Sequence, residues 1–398
     1  MIRHGTLRTV SYLSADGPLT TVGLHAVEFI EPLYGEGTST WMAGWSENRG
    51  GDGLPVLPTE KRDISEDDWI MGMKFGLLMP HFGEHASRRA LLDGAVLAES
   101  SGFDSVWVRD HLVFEPHAEM EAANITFYEA LTTLSAIGAV TENITLGTGS
   151  LIPFRHPVHL AICVSTLTKL VGDRLILGFG AGTFDHEFEL VGMGDLDRVD
   201  LVRSNAEILR RLHSGDGVTY ADEVYSFENI TIDPKPAESI PFWYCGATPR
   251  SARLAAEYAD GWMPGRTTLL TIEERARAMR ELTAANGRPM PTVAVIPPTS
   301  IAPTRESAFD GLNIDGLLAW ANKRGKWWVK PPSGEFATVE DIEGSLIAGN
   351  PDEVIAEVRK FEAVGVDHLV FDLRLRFDRW FESIELLGAH VLPELRGV

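Results

Sequence analysis

From Met73 onward the chain repeats one unit: a short apolar run, a turn, then a segment with helical spacing. Strands buried on both faces read as continuous apolar runs, and amphipathic helices place apolar residues three and four apart. By these signals strands are expected at 74–80, 105–110, 144–151, 175–180, 241–245, 261–264, 292–296 and 368–373. Helices are expected at 88–101, 130–141, 157–171, 198–213, 249–258, 272–286, 351–364 and 380–387. Eight strands, each followed by a helix, predict an α/β fold of the (β/α)8 (TIM) barrel type. A doubly wound sheet is the rival, but the first strand lacks a dinucleotide fingerprint. Two connections are too long for plain turns. One is 183–239, after the fourth strand, with a small hairpin at 220–232. The other is 302–350, after the seventh, which carries Trp320, Trp327 and Trp328. In a barrel both are expected on the face where the strands end and loops act as lids.

Residues 1–72 have a different texture. Gly35-Glu36-Gly37, the stretch 48–53 and the acidic 65–68 interrupt any sustained period. They are expected to be an N-terminal extension, either disordered or a start codon placed too early, with Met71 or Met73 as the start. A partner-binding arm is the other reading. Residues 73–398 are expected to form the barrel domain. The net charge of −22, from 35 Lys plus Arg against 57 Asp plus Glu, repels nucleic acid and anionic lipid. The cysteines, Cys163 and Cys245, have neither CxxC nor metal-ligand spacing, so a cytoplasmic location is expected. A run of about 18 apolar residues, as a membrane span needs, is missing.

Barrel chemistry sits at the C-terminal strand ends. These ends deliver His81; Arg109, Asp110 and His111; Gly149 and Ser150; Gly180 to Thr183; Gly246, Ala247 and Thr248; and Asp372 and Arg374. A Schiff-base aldolase needs a strand-end lysine, yet Lys74 lies at the opposite end. A binuclear hydrolase wants two histidines at i and i+2, whereas His81 and His85 are four apart. His156 and His159 flank Pro157, which suits a helix start better than a metal site. Asp110, Glu187 and Asp372 make a two-carboxylate glycosidase conceivable, but then the glycines have no purpose. Gly180-Ala181-Gly182 and Gly246-Ala247-Thr248 place small residues where strand meets helix or loop. There bare backbone N–H groups and a helix N-terminus can receive a phosphate. Tight turning alone is the competing explanation. Trp107, Phe114, Phe154, Phe184 and Trp262 are candidates for an apolar pocket lining, or else for core.

The segments 99–111, 144–150, 155–157, 174–182 with Glu187-Phe188, 245–249, 258–262 and 365–369 together resemble the bacterial luciferase-like monooxygenases and their coenzyme F420-dependent relatives. The resemblance covers Met73 to the end. It implies a barrel holding a flavin or deazaflavin at the strand ends. Asp110 and His111 would then be catalytic residues beside the ring edge, able to relay a proton. It also implies a cis peptide between Gly149 and Ser150 behind the ring. Gly180, Ala181, Gly182, Thr183, Gly246, Ala247 and Thr248 would hold the cofactor tail and phosphate. Glu187 is expected to be a solvated helix residue. F420 with hydride transfer to or from a small organic substrate is favoured. FMN with oxygen and a partner flavin reductase is the alternative, and a non-catalytic flavin-binding or interaction protein is a further one. A homodimer is expected by analogy, and no metal.

Overall fold

The computed structural model describes residues 9–12, 20–23, 72–116, 121 and 123–397. The chain divides into two units, Met1–Asp68 and Trp69–Val398. In the first, Thr9–Tyr12 and Thr20–Gly23 pair antiparallel, with Thr9 opposite Gly23. This small hairpin was not anticipated, because two four-residue strands are too short to show a period. The other expectations for 1–72, including the alternative starts, lie almost wholly outside the described residues.

The second unit is built on a closed barrel of eight parallel strands. They are β1 (Lys74–Leu78), β2 (Ser105–Val108), β3 (Thr145–Leu151), β4 (Leu175–Gly180), β5 (Phe242–Cys245), β6 (Gly261–Met263), β7 (Thr292–Val295) and β8 (His368–Phe371). Each strand pairs with the next in sequence, and β8 closes onto β1 with His368 opposite Lys74. The register shifts once, between Thr148 and Leu151 of β3, so that β3 bends where it reaches the rim.

Bulk at the barrel centre explains several strand glycines. Trp107 and Trp243 pack at 5.1 Å inside the barrel, and His368 meets their rings edge-on at 5.6 and 5.4 Å. A Cβ on Gly76 or Gly147 would strike Trp107, and one on Gly261 would strike Trp243. The indole N–H of Trp107 donates to Ser105 Oγ at 2.7 Å, and Ser105 Oγ shares a hydrogen bond with His368 Nε2 at 2.7 Å. Burial pushes the His368 imidazole down to about 3, so it is a neutral member of this chain of hydrogen bonds.

The outer helices follow the expected order: α1 (Arg88–Ser100), α2 (Ala130–Gly138), α3 (Pro157–Val171), then α4 (Asp185–Leu190) and α5 (Arg198–Ser214) after β4. Next come α6 (Pro249–Tyr258) and α7 (Leu269–Asn286). The 302–350 region holds α8 (Arg305–Phe309) and α9 (Ile314–Arg324), and α10 (Pro351–Ala363) and α11 (Trp380–Leu386) follow. The hairpin after α5 forms from Val218–Ala221 and Ser226–Ile230. The long connection after β7 is pinned at its base, where Thr299–Ile301 pairs in parallel with Ile347–Gly349. It has its own apolar cluster, including Leu317, Ala321, Trp328, Phe336 and Ile342. Arg376 ties it to the end of β8 through Ser300 Oγ at 2.8 Å and the carbonyls of Ser307, Ala308 and Asp310 at 2.6, 3.0 and 2.8 Å. Among the described residues, no helix is long and apolar enough to cross a membrane.

Candidate active site

The strand ends surround a cavity of about 510 Å³. All the sequence-predicted site residues line it: Asp110, His111, Gly149, Ser150, Gly180 to Thr183, and Gly246 to Thr248. One arc of its rim, at the ends of β3, β4 and β5, is made of small residues. The Gly149–Ser150 peptide there is cis, as the resemblance implies. The glycines are also needed by their own neighbours. A Cβ on Gly180 would strike Ser150, one on Gly246 would come within 2.5 Å of Ser251 Oγ, and Gly182 has a φ of +74°. Thr248 caps α6: its Oγ1 accepts from the Ser251 N–H at 3.0 Å, with Pro249 in the first turn. Trp262 supports this arc from beneath by donating its indole N–H to the Gly246 carbonyl at 2.9 Å.

Just past β2, Asp110 and His111 face different partners. The Asp110 carboxylate is buried and accepts from Arg155 Nη1 and Nη2 at 2.5 and 2.9 Å, and from the Ile152 N–H at 3.0 Å. It fastens the end of β2 to the segment leaving β3. The His111 Nδ1–H donates to Glu187 Oε2 at 3.1 Å. Glu187 also accepts the N–H groups of Leu112 and Val113 on Oε1, at 2.5 and 3.0 Å. Glu187 is therefore not the solvated helix residue that was expected: it is 0 % exposed. Burial pushes its carboxyl up, but the hydrogen bond and charge of His111 and the two backbone donors outweigh this and hold it below the usual carboxylate range. The buried glutamate keeps a proton on Nδ1 and sets the orientation of the ring. It leaves Nε2 near the Arg109 guanidinium, at 3.4 Å.

The opposite arc is charged. Arg109, Arg266 and Arg374 line the cavity together with Asp372, and Glu121 lies behind them. Glu121 Oε1 accepts from Arg109 Nη1 at 2.9 Å and from Arg374 Nη1 at 2.5 Å, while Arg374 Nε donates to Asp372 Oδ2 at 2.6 Å. Phe82 lies against the guanidiniums of Arg109 and Arg374, 4.6 and 5.4 Å from its ring centre. The Arg266 guanidinium covers the ring of Trp320, from α9, at 4.4 Å. Burial first, and then the charge of Arg374, push Arg109 down to about 10 and Arg266 down to about 9. For Arg374, attraction to Asp372 and Glu121 exceeds the cost of burial and raises it. His81 supports this arc from below. Its Nε2 accepts the Arg109 N–H at 3.0 Å, its Nδ1–H donates to the Met79 carbonyl at 2.9 Å, and burial pushes it down to about 3.

Other expectations resolve as follows. Trp107, Phe114, Phe154 and Trp262 are core rather than pocket lining. Phe184 instead packs against the His111 ring at 5.2 Å. His156 caps α3, accepting the Val158 N–H at 3.3 Å. The strand-end reading reached Arg109, Asp372 and Arg374 without assigning them a task, and it missed Arg266. The available signal was the recurrence of arginine just past several barrel strands.

Comparison with known proteins bears on the fold and the family. The F420-dependent glucose-6-phosphate dehydrogenase of Nakamurella multipartita is 28% identical over 323 residues, covering 77% of this chain and 93% of that protein. An F420-dependent secondary alcohol dehydrogenase, solved with an F420–acetone adduct, superposes with a TM-score of 0.67 at 21% identity, over 82% of this chain and all of its own. The FMN-bound oxygenating constituent of 3,6-diketocamphane monooxygenase from Pseudomonas putida gives 0.65 at 20% identity, over 81% and 99%. The family model for luciferase-like monooxygenases matches residues 73–368, from the residue before β1 to the first residue of β8. That match takes in nearly every strand end at the cavity, and the chain belongs to the luciferase-like monooxygenase family.

Proposed function

We propose that the protein is an F420-dependent oxidoreductase that transfers a hydride between the deazaflavin and a small organic substrate. The observation that carries this reading is the pairing of a bare backbone wall with a histidine oriented by a buried glutamate across one cavity. A volume of about 510 Å³ lies within the range of cofactor and ligand sites. The wall at Gly149, Ser150, Gly180, Ala181 and Gly182 has few side chains to obstruct a flat ring. Gly246, Ala247 and Thr248, at the α6 N-terminus, offer backbone N–H groups to a phosphate. The F420-dependent relatives support this cofactor, and the FMN-bound neighbour keeps FMN, with oxygen and a flavin reductase, as the second reading.

When bound, the deazaflavin accepts or supplies the hydride, and the protein manages the proton. His111, oriented by the Nδ1–H bond to Glu187, turns Nε2 toward the cavity, where an unprotonated Nε2 would take the proton of a substrate hydroxyl. The Glu187 carboxylate then stabilises the imidazolium that forms. Asp110 keeps the end of β2 rigid through Arg155 and so positions His111. The 302–350 insertion, through Trp320, covers the cavity and limits water. A homodimer formed through barrel helices and a cytoplasmic location belong to the same reading.

The test is a fluorescence titration of the purified protein with F420 and, separately, with FMN. Tight F420 and weak FMN binding is the expected result. The reverse would make it an FMN-dependent monooxygenase, and binding of neither would remove the functional reading.

A further inference from the structure

The inference here rests on the cofactor reading just given and concerns the side of the cavity that the cradle leaves free. The connection 302–350 follows β7, which stands opposite β3 in the ring of strands. Of its described residues, only Trp320 lines the cavity. A swinging lid needs free edges, and this segment is bonded to the barrel along its length. Thr299–Ile301 pairs with Ile347–Gly349 at its base, and Arg376 holds the carbonyls of Ser307, Ala308 and Asp310. Farther out, Arg275 Nη2 donates to the Trp327 carbonyl at 2.9 Å, and the Val329 N–H donates to Thr271 Oγ1 at 2.9 Å. The Leu269 N–H donates to the Glu343 carbonyl at 2.7 Å. Leu269, Thr271 and Arg275 all belong to α7, so one barrel helix carries the outer part of the segment.

Trp320 is held as firmly as the segment that bears it. Its ring packs on Trp328 at 5.5 Å, and Trp328 packs on Phe336 at 5.5 Å, so an aromatic row backs it from within the insertion. From the barrel side the Arg266 guanidinium covers it at 4.4 Å. A large ring braced on two sides does not turn aside for a ligand, and close-packed surroundings make each added methylene felt. The cradle gives the glycine side of a cavity of about 510 Å³ to a flat cofactor ring, so the substrate has only the remaining space. We infer that Trp320 is the specificity-determining residue of the substrate pocket, and that its fixed indole sets the upper size of the group attached to the reacting carbon. The rest of the insertion acts through this ring by holding it in place. Exclusion is by collision, so it weakens bulky ligands and spares compact ones.

The F420-loaded protein is titrated with two ketones of different bulk, cyclopentanone and menthone, following the cofactor's fluorescence. Cyclopentanone is expected to saturate, and menthone to bind at least roughly 30-fold more weakly. Trp320→Ala is expected to tighten menthone roughly 30-fold, while the Kd values of cyclopentanone and F420 move less than about 3-fold. Trp320→Phe, with a smaller ring, is expected to fall between. Leu317→Ala lies in the same apolar cluster but away from the cavity. It controls for a loosened insertion and is expected to leave the ratio of the two ketones unchanged. The inference is overturned if Trp320→Ala leaves that ratio as it was, or if Leu317→Ala shifts it as much. It is also overturned if the unaltered protein already prefers menthone, or if neither ketone saturates it. If F420 itself does not bind, the cofactor reading fails instead, and the same titrations of the unloaded protein, followed by tryptophan fluorescence, still test Trp320 by the ratio.

Discussion

Along the ends of β3, β4 and β5 the cavity wall is backbone, and its form comes from side chains that are missing: Gly149, Gly180, Gly182 and Gly246. Along β2, β6 and β8 the wall is guanidinium, and its form comes from charges that must hold one another: Arg109 and Arg374 on Glu121, and Arg374 on Asp372. The first arc needs little from the rest of the protein beyond tolerance of glycine. The second depends on residues more than 250 positions apart in the chain, with Arg374 bonded to Glu121 across 253 of them. A shape made by omission is spoiled by adding atoms, whereas one made by charge is spoiled by removing a single partner.

That contrast predicts where damage shows. Arg374→Met leaves Glu121 and Asp372 buried with much of their compensation gone. It is expected to cost about 3–5 kcal/mol in urea unfolding, and a loss below about 1 kcal/mol would mean that water already screens these carboxylates. Gly180→Val must displace Ser150 toward the cavity. It is expected to raise the F420 Kd about 100-fold while lowering stability less than Arg374→Met does. An unchanged Kd would take the cofactor away from this arc. Thr248→Ala removes the α6 cap and is expected to cost about 1 kcal/mol. Its effect on the F420 Kd should be smaller than that of Gly180→Val, because backbone N–H groups remain at the helix start.

The same contrast separates what could be read in the sequence from what could not. The barrel strands were legible because runs such as Ser105–Val108 and Phe242–Cys245 are apolar on both faces and bounded by turns. α3 and α6 were legible to the residue, each opened by a proline in its first turn. The glycine arc was legible because its residues are contiguous in short segments. α4 was expected around Glu187 but could not be delimited, because six residues, Asp185–Leu190, are too few to show helical period. With it went the burial of Glu187, whose partners His111, Leu112 and Val113 lie more than seventy residues earlier. Of the charged arc, Arg109, Asp372 and Arg374 were reached as strand ends, but their pairing was not, because ion pairs of such separation leave no local spacing. Trp107 and Trp262 were ambiguous because a barrel fills its own centre with aromatic rings, and only neighbouring glycines such as Gly147 reveal which way an indole points.

The parallel pairing of Thr299–Ile301 with Ile347–Gly349 brings the two ends of the intervening segment side by side. That segment carries Trp320, which touches Arg266, yet most of its apolar contacts are internal. Its length therefore bears little on the barrel, since doubling a closed loop adds only about 0.6 kcal/mol of entropy. In evolutionary terms, this wall of the pocket is a detachable part. Descendants can exchange it at the clamp and acquire a different substrate range while inheriting the cofactor half unchanged.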